Sequence, residues 1–139
     1  MTKIMKTLLG LLCLLVLSGC APFNAFIRVV QTQPVTDVAS ADPAHGETIF
    51  RSGINGAPPC IGCHALASGG FSLGPAMIGI SQRAAQRVEG LDATGYITES
   101  ILQPDVFLVP GYRSLMYTDY RNHLSDQDLD DLIAYLLTL

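Results

Sequence analysis

The sequence predicts an all-α fold, and two segments carry most of that prediction. The clearest is C-terminal, where Ser125 is a favourable N-cap and a helix would run to Leu139. Its apolar residues recur at helical spacing: Leu129, Leu132, Ile133 and Leu136. The other is a first helix with Asp42 as its cap, Pro43 at its first position and Gly53 at its end. Both ends of the folded region are therefore expected to be helical.

Two shorter helices are predicted between these ends. Ser81 would cap a helix that Gly90 stops. Asp92 or Thr94 would start the next helix, and Pro104 would mark its end. The second of these helices would turn three apolar residues inward: Ile97, Ile101 and Leu102. The segments between them are predicted to be loops.

The N-terminus has the pattern of a secretion signal. Lysines precede an apolar run at residues 8–17, which is too short to cross a bilayer, since that takes about twenty residues. The run ends in Leu17-Ser18-Gly19-Cys20, which resembles the bacterial lipobox, in which the Cys becomes the first mature residue and carries lipid. We therefore expect residues 1–19 to be a lipoprotein signal peptide and Cys20 to be lipidated. The alternative is cleavage elsewhere, with Cys20 incidental.

Residues 20–41 are predicted to be a lipid-anchored tether that leads into one folded domain at residues 42–139. The part from Gln31 to Ala41 is polar and has no helical period. The strip from Phe23 to Val30 is more apolar than a free linker should be. It would either lie at the lipid headgroups or dock against a membrane partner.

The charge balance limits the partners of this domain. The chain of 139 residues holds 8 basic and 12 acidic residues. Loss of Lys3 and Lys6 with the leader would leave six arginines and a net charge of −6. An acidic domain argues against nucleic acid and against electrostatic docking on anionic lipid. It favours a protein partner with a positive patch.

The residues that carry chemistry are Cys60-Ile61-Gly62-Cys63-His64. This C-x-x-C-H run is the attachment signature of a c-type haem. Two thiols at this spacing reach the two vinyl groups on one edge of the porphyrin, and His64 falls over the iron as its proximal ligand. Because the motif occurs once, the sequence predicts one covalent haem c, with Cys60 and Cys63 as attachment sites.

Three other interpretations of this cysteine pair fit the sequence less well. A thioredoxin-like redox pair would follow a strand, whereas this pair follows a Gly- and Pro-rich run. A zinc site needs about four ligands, and no second close pair follows. A disulfide across two intervening residues would be small and strained.

The second axial ligand of the iron has four candidates after the leader: Met77, Met116, His45 and His123. Met77 follows His64 too closely for its loop to reach the distal face easily. Met116 lies far enough along the chain to have wrapped the haem. Spacing alone leaves the choice open, because a Met is more often core filler than a ligand.

The region from Gly46 to Leu136 resembles the class I c-type cytochromes. In that family a Gly and an aromatic residue of the first helix cross an aromatic residue of the last helix, and Gly46, Phe50 and Tyr135 match these positions. The resemblance implies a small class I cytochrome c fold, with the N- and C-terminal helices crossing around one covalent haem.

The resemblance also implies roles around the haem. Gly74-Pro75-Ala76-Met77 is similar to the family's G-P-x-L segment, so the Pro75 carbonyl would accept a hydrogen bond from His64, and Met77 would pack on the haem. The stretch from Ile101 to Met116 includes Pro110-Gly111-Tyr112 and resembles the family segment that ends in the distal Met. Tyr112 would then belong to the haem site, and Met116 would be the second iron ligand. Tyr117 departs from the family, which commonly has Pro there.

A haem with two protein ligands passes one electron with little rearrangement and leaves no open site for oxygen or peroxide. We therefore expect an electron-transfer protein, not an enzyme on its own, tethered by lipid and facing the periplasm or the outer side of the cytoplasmic membrane. Its partners would be donor and acceptor redox proteins. The resemblance includes lipid-anchored monohaem subunits of alternative complex III, a quinol oxidoreductase. We therefore expect a subunit of a quinol-oxidising respiratory or photosynthetic complex, with the other subunits of that membrane complex among its partners. The alternatives are a mobile tethered carrier and a haem sensor or peroxidase with an open distal site.

Overall fold

The computed structural model describes residues 37–69 and 72–139. Three predictions therefore lie outside the described residues: the signal peptide, the lipidated Cys20 and the tether as far as residue 36. None of the described helices is both long and apolar enough to cross a membrane.

Four α-helices form the described part of the chain, which contains no strand, and this confirms the all-α class. They are α1 (Pro43–Ser52), α2 (Ile80–Ala84), α3 (Ala93–Leu102) and α4 (Asp126–Leu136). Three 3₁₀ turns accompany them at Val38–Ser40, Cys60–Gly62 and Tyr120–Asn122.

The ends of α1 follow the predicted capping residues. The Asp42 carboxylate accepts a hydrogen bond from the Ala44 amide at 2.9 Å, and Pro43 occupies the first helical position. Gly53 ends the helix with a φ of 72°, a conformation that costs glycine little. The predicted boundaries of the first helix are confirmed.

Helix α4 begins with a capping box. The Ser125 hydroxyl accepts from the Asp128 amide at 3.1 Å, and the Asp128 carboxylate accepts from the Ser125 amide at 2.9 Å. Two amide donors that the helix leaves unpaired are thereby satisfied. The helix ends at Leu136, short of the predicted Leu139, and the final residues form a turn.

The prediction for α2 was wrong in its cap and its length. The helix starts at Ile80, after Gly79, and ends at Ala84 instead of reaching Gly90. Ser81 lies inside the helix, and its hydroxyl donates to the Leu139 carbonyl at 3.0 Å. A local capping pattern was therefore replaced by a contact between distant parts of the chain.

In α3, by contrast, the Asp92 side chain accepts a hydrogen bond from the Gly95 amide at 2.7 Å and caps the helix. Asp92 was one of the two predicted starting residues of this helix.

The core is built where α1 crosses α4. Gly46 packs directly on the backbone of α4, where an added Cβ would overlap the Asp131 carbonyl oxygen and lie 2.9 Å from the Leu132 nitrogen. One turn further, the rings of Phe50 and Tyr135 lie 5.6 Å apart at 55°. The most deeply buried large side chains are at or beside this crossing: Phe50, Leu129, Leu132 and Ile133.

A buried carboxylate adds a polar contact to the same crossing. Asp131 is 3% exposed and accepts hydrogen bonds from the Asp42 amide at 2.7 Å, His45 Nδ1 at 2.8 Å and Gln127 Nε2 at 2.8 Å. Burial opposes ionisation of this carboxyl, but the three donors outweigh burial and hold the pKa of Asp131 below its ordinary value. The bond to Asp131 raises the pKa of His45, one of the four candidates for the second iron ligand.

Residues 37–41 were predicted to belong to the tether, but in the structure they pack against α4. The Asp37 amide donates to the Asp130 carboxylate at 3.0 Å, and Val38–Ser40 forms a 3₁₀ turn in contact with the helix. A polar composition alone does not reveal such a contact, because the partner lies at the other end of the chain.

Replacing Gly46 with Ala should strongly destabilise the fold, because backbone atoms of α4 have nowhere to move. We expect a loss of about 2–3 kcal/mol in the free energy of unfolding, measured by urea denaturation of the haem-loaded protein. Gly62→Ala is the control, since apart from its chain neighbours no heavy atom of the described residues lies within 4 Å of its Cβ position. Equal stability of the Gly46→Ala variant and the native protein would contradict this account of the crossing.

Candidate haem site

The C-x-x-C-H run forms a tight turn that brings its two thiols to one side. Residues Cys60–Gly62 make a single 3₁₀ turn, and the Cys63 amide donates to the Cys60 carbonyl at 3.1 Å. Side chains three residues apart eclipse one another in a 3₁₀ helix, so Cys60 and Cys63 point the same way. The His64 amide donates to the same Cys60 carbonyl at 2.9 Å, which places the imidazole directly after the thiols.

The His64 ring is oriented by the Pro75 carbonyl. Its Nδ1 lies 2.8 Å from the Pro75 oxygen, and a carbonyl can only accept, so Nδ1 carries the proton. The other ring nitrogen, Nε2, is then the one with a free lone pair for a metal. The hydrogen bond that the family resemblance implies is present, while the role of Pro75 toward the haem stays a prediction.

Gly74 and Ser72 hold the loop around His64, and both were missed as site residues. A Cβ at Gly74 would overlap the imidazole Cε1 and lie 2.8 Å from Nδ1, so only glycine lets the chain pass this ring. The Gly74 amide donates to the Cys63 carbonyl at 2.9 Å, and the Ser72 hydroxyl donates to the same oxygen. The G-P pair in the sequence was a usable signal for Gly74, whereas Ser72 gave none.

The motif opens into a cleft that collects every haem-site residue predicted from the sequence. The cleft encloses about 1060 Å³ of empty space, including the part at its mouth that is open to solvent. The lining includes all seven predicted residues: Cys60, Cys63, His64, Pro75, Met77, Tyr112 and Met116.

The four candidates for the second iron ligand separate in the structure. Met77 and Met116 both line the cleft, whereas His45 and His123 do not. Met77 is 9% exposed and its amide donates to the Ala65 carbonyl at 2.8 Å, so it belongs to the loop that carries His64. Met116 is partly buried and comes from the loop between α3 and α4. The two methionines therefore reach the cleft from different segments, and ligation by Met116 stays a prediction.

The chemistry of the lining fits a haem. Most of the lining is apolar, as a porphyrin ring requires, and among the described residues its only charged members are Arg87 and Arg113. Arg87 Nε is buried and has no hydrogen-bond partner among the described residues. A buried guanidinium nitrogen without an acceptor is costly, and the two carboxylates of a haem are acceptors of the right charge. Arg87 and Arg113 would bind these carboxylates. The chain as a whole is acidic, so two arginines in the lining of one apolar cleft suit a ligand that carries negative charge.

The comparison with known protein families agrees with this geometry. The family model described as cytochrome c matches residues 43–139. The chain belongs to the cytochrome c family. A search of curated proteins found no matching relative. As a cytochrome c the protein binds covalent haem c and serves in electron transfer.

Each group of this cytochrome c around the haem has a separate task. When bound, haem c supplies an iron that alternates between ferric and ferrous by exchanging one electron. Cys60 and Cys63 would hold the ring edge, and His64 would offer Nε2 to the metal. Before the haem is attached, burial raises the pKa of the Cys60 thiol. The apolar lining excludes water from the ring faces.

Replacing Arg87 with Gln should lower the midpoint potential of this cytochrome c. A positive charge beside the haem favours the ferrous state, which carries one more electron, and glutamine removes that charge while keeping a donor. We expect a fall on the order of tens of millivolts by redox titration. Arg121→Gln removes the same charge from the exposed surface and should change the potential less. Equal shifts in both variants would show that Arg87 does not face the haem.

Proposed function

We propose that this cytochrome c passes single electrons with its iron held between His64 and Met116. The observation that carries the proposal is that both side chains line one cleft, with His64 Nδ1 engaged by Pro75 so that Nε2 is available. Two protein ligands leave the coordination shape unchanged between the two oxidation states, which keeps electron exchange fast. A thioether ligand also raises the potential relative to two imidazoles.

The lining supports electron transfer over peroxide chemistry. Cleavage of peroxide needs a general acid or base beside the distal face. Among the described residues that line the cleft, His64 is the only histidine and there is no carboxylate. His45 and His123, which the sequence left open as distal groups, are engaged elsewhere, with Asp131 and with the Asn55 carbonyl.

Met116→Ala tests the ligand set. Loss of the thioether should lower the midpoint potential and let carbon monoxide bind the reduced haem rapidly, because one axial position becomes open. The potential is measured by redox titration and carbon monoxide binding by stopped-flow absorption. Met77→Leu is the matched comparison, since it removes the other thioether of the cleft. If Met77→Leu opens the haem and Met116→Ala does not, the ligand assignment is reversed.

We further propose that the protein works as a lipid-anchored subunit of a membrane complex that oxidises quinol, of the alternative complex III type. The lipobox at Cys20 and the apolar strip from Phe23 to Val30 support an anchored, docked protein. Exposed apolar side chains near the cleft support a protein partner there. Ile61, Ile78 and Val106 are 38–50% exposed, and each is next to a lining residue in sequence.

Whether the protein is a fixed subunit of a complex is tested by the size at which it migrates after the membrane is solubilised. Native membranes are solubilised gently, separated by size, and stained for covalent haem. A fixed subunit should migrate with a large assembly that contains other redox centres. Replacing residues 23–30 with a Gly/Ser linker of equal length, while Cys20 is kept, should release it. Migration of the native protein at monomer size would contradict the subunit role and favour a mobile carrier on a lipid tether.

A further inference from the structure

The chain just after Met116 is held by hydrogen bonds where the family commonly has a proline. Tyr117 occupies that position, and its hydroxyl lies 2.9 Å from His123 Nε2. Tyr117 also packs against the core, with its ring edge-on to Tyr120 at a centroid distance of 5.0 Å. The residue that follows Met116 is therefore held by contacts of its side chain. A proline at this position would instead restrain the backbone through its ring.

The acceptor for Tyr117 is held in one orientation. His123 Nδ1 lies 2.9 Å from the Asn55 carbonyl oxygen, so Nδ1 carries the proton and Nε2 accepts from the Tyr117 hydroxyl. The Asn55 side-chain amide donates back to the His123 carbonyl at 2.9 Å. Asn55 has a φ of 50°, a left-handed conformation that asparagine tolerates. The Asp119 carboxylate, at 3.5 Å from Nε2, is the charged group beside this pair.

The same cluster reaches the segment that leads into the haem motif. Asn55 precedes Cys60 by one short turn, and the Tyr120 hydroxyl donates to the Pro58 carbonyl at 2.9 Å. Tyr117 and Tyr120 thus join the end of the Met116 loop to the chain just before the thiols. Segments from the two sides of the haem site are held together at this one place.

We propose that Tyr117, His123 and Asn55 form a latch that positions Met116 for the iron. Tyr117 and His123 are positioning residues, because they act through the backbone of Met116 and do not line the cleft. The proposal rests on the ligand set of the proposed function. Release of the thioether requires the loop to move away, and that movement must first break the Tyr117–His123 hydrogen bond. The latch therefore slows the opening of the iron to outside ligands.

The test measures how fast the native ligand leaves. The ferric, haem-loaded protein is mixed with saturating cyanide, whose binding rate is then limited by loss of the thioether. Tyr117→Phe keeps the ring contact with Tyr120 and removes only the hydroxyl. We expect this variant to bind cyanide about two- to tenfold faster, the range for one hydrogen bond. His123→Ala should also bind cyanide faster than the native protein. Because both substitutions remove the same hydrogen bond, the double variant should bind cyanide no faster than the faster single variant.

Ser81→Ala is the matched control, because it removes a hydrogen bond of similar length, to Leu139, outside the cleft lining. Its cyanide rate should equal that of the native protein. If Tyr117→Phe and His123→Ala also bind cyanide at the native rate, the proposed latch is wrong. The proposal that His64 and Met116 are the iron ligands is not affected by that result. The thioether-to-iron absorption band of the native ferric protein separates the two proposals. Its absence would overturn the ligand set and, with it, the latch.

Discussion

The close approach of α1 to α4 at Gly46 is the constraint on which the rest of the structure depends. Because the two backbones touch there, Phe50 of α1 and both Leu132 and Leu136 of α4 reach the same cleft and form its wall. The buried Asp131 strengthens this contact by accepting three hydrogen bonds, from α4 itself and from the start of α1. A core of this size depends on few contacts, so a single methyl group at the crossing matters.

The proximal side of the cleft is held in place by contacts within the chain itself. The 3₁₀ turn aligns the thiols, the Pro75 carbonyl selects the tautomer of His64, and Gly74 lets the loop pass close to the ring. Such preorganisation suits electron exchange, in which little should move between the two oxidation states. The distal side is different, since Met116 comes from the long loop between α3 and α4. The hydrogen bond between Tyr117 and His123 holds this loop just after Met116.

Charge is distributed unevenly in a way that suits both the cofactor and a partner. The chain is acidic, yet in the part of it that the structure describes the only charged residues lining the cleft are Arg87 and Arg113. Positive charge inside raises the affinity of the cleft for carboxylates and favours the reduced state. The excess of acidic residues in the chain as a whole supports a partner of opposite sign. Apolar side chains such as Ile78 near the cleft would let that partner approach closely.

The sequence by itself determined the all-α class, the caps of α1 and α4, and the covalent haem. These depend on local patterns: a capping residue, a helical period, and two thiols beside an imidazole. The haem motif indicated Cys60, Cys63 and His64, and the family resemblance added four more residues: Pro75, Met77, Tyr112 and Met116. All seven line one cleft. The tertiary structure alone decided the rest. Ser81 bonds to the C-terminus instead of capping a helix, Arg87 faces the cleft, and His123 holds Tyr117. Each joins residues whose proximity exists only after folding, so no local pattern could encode it.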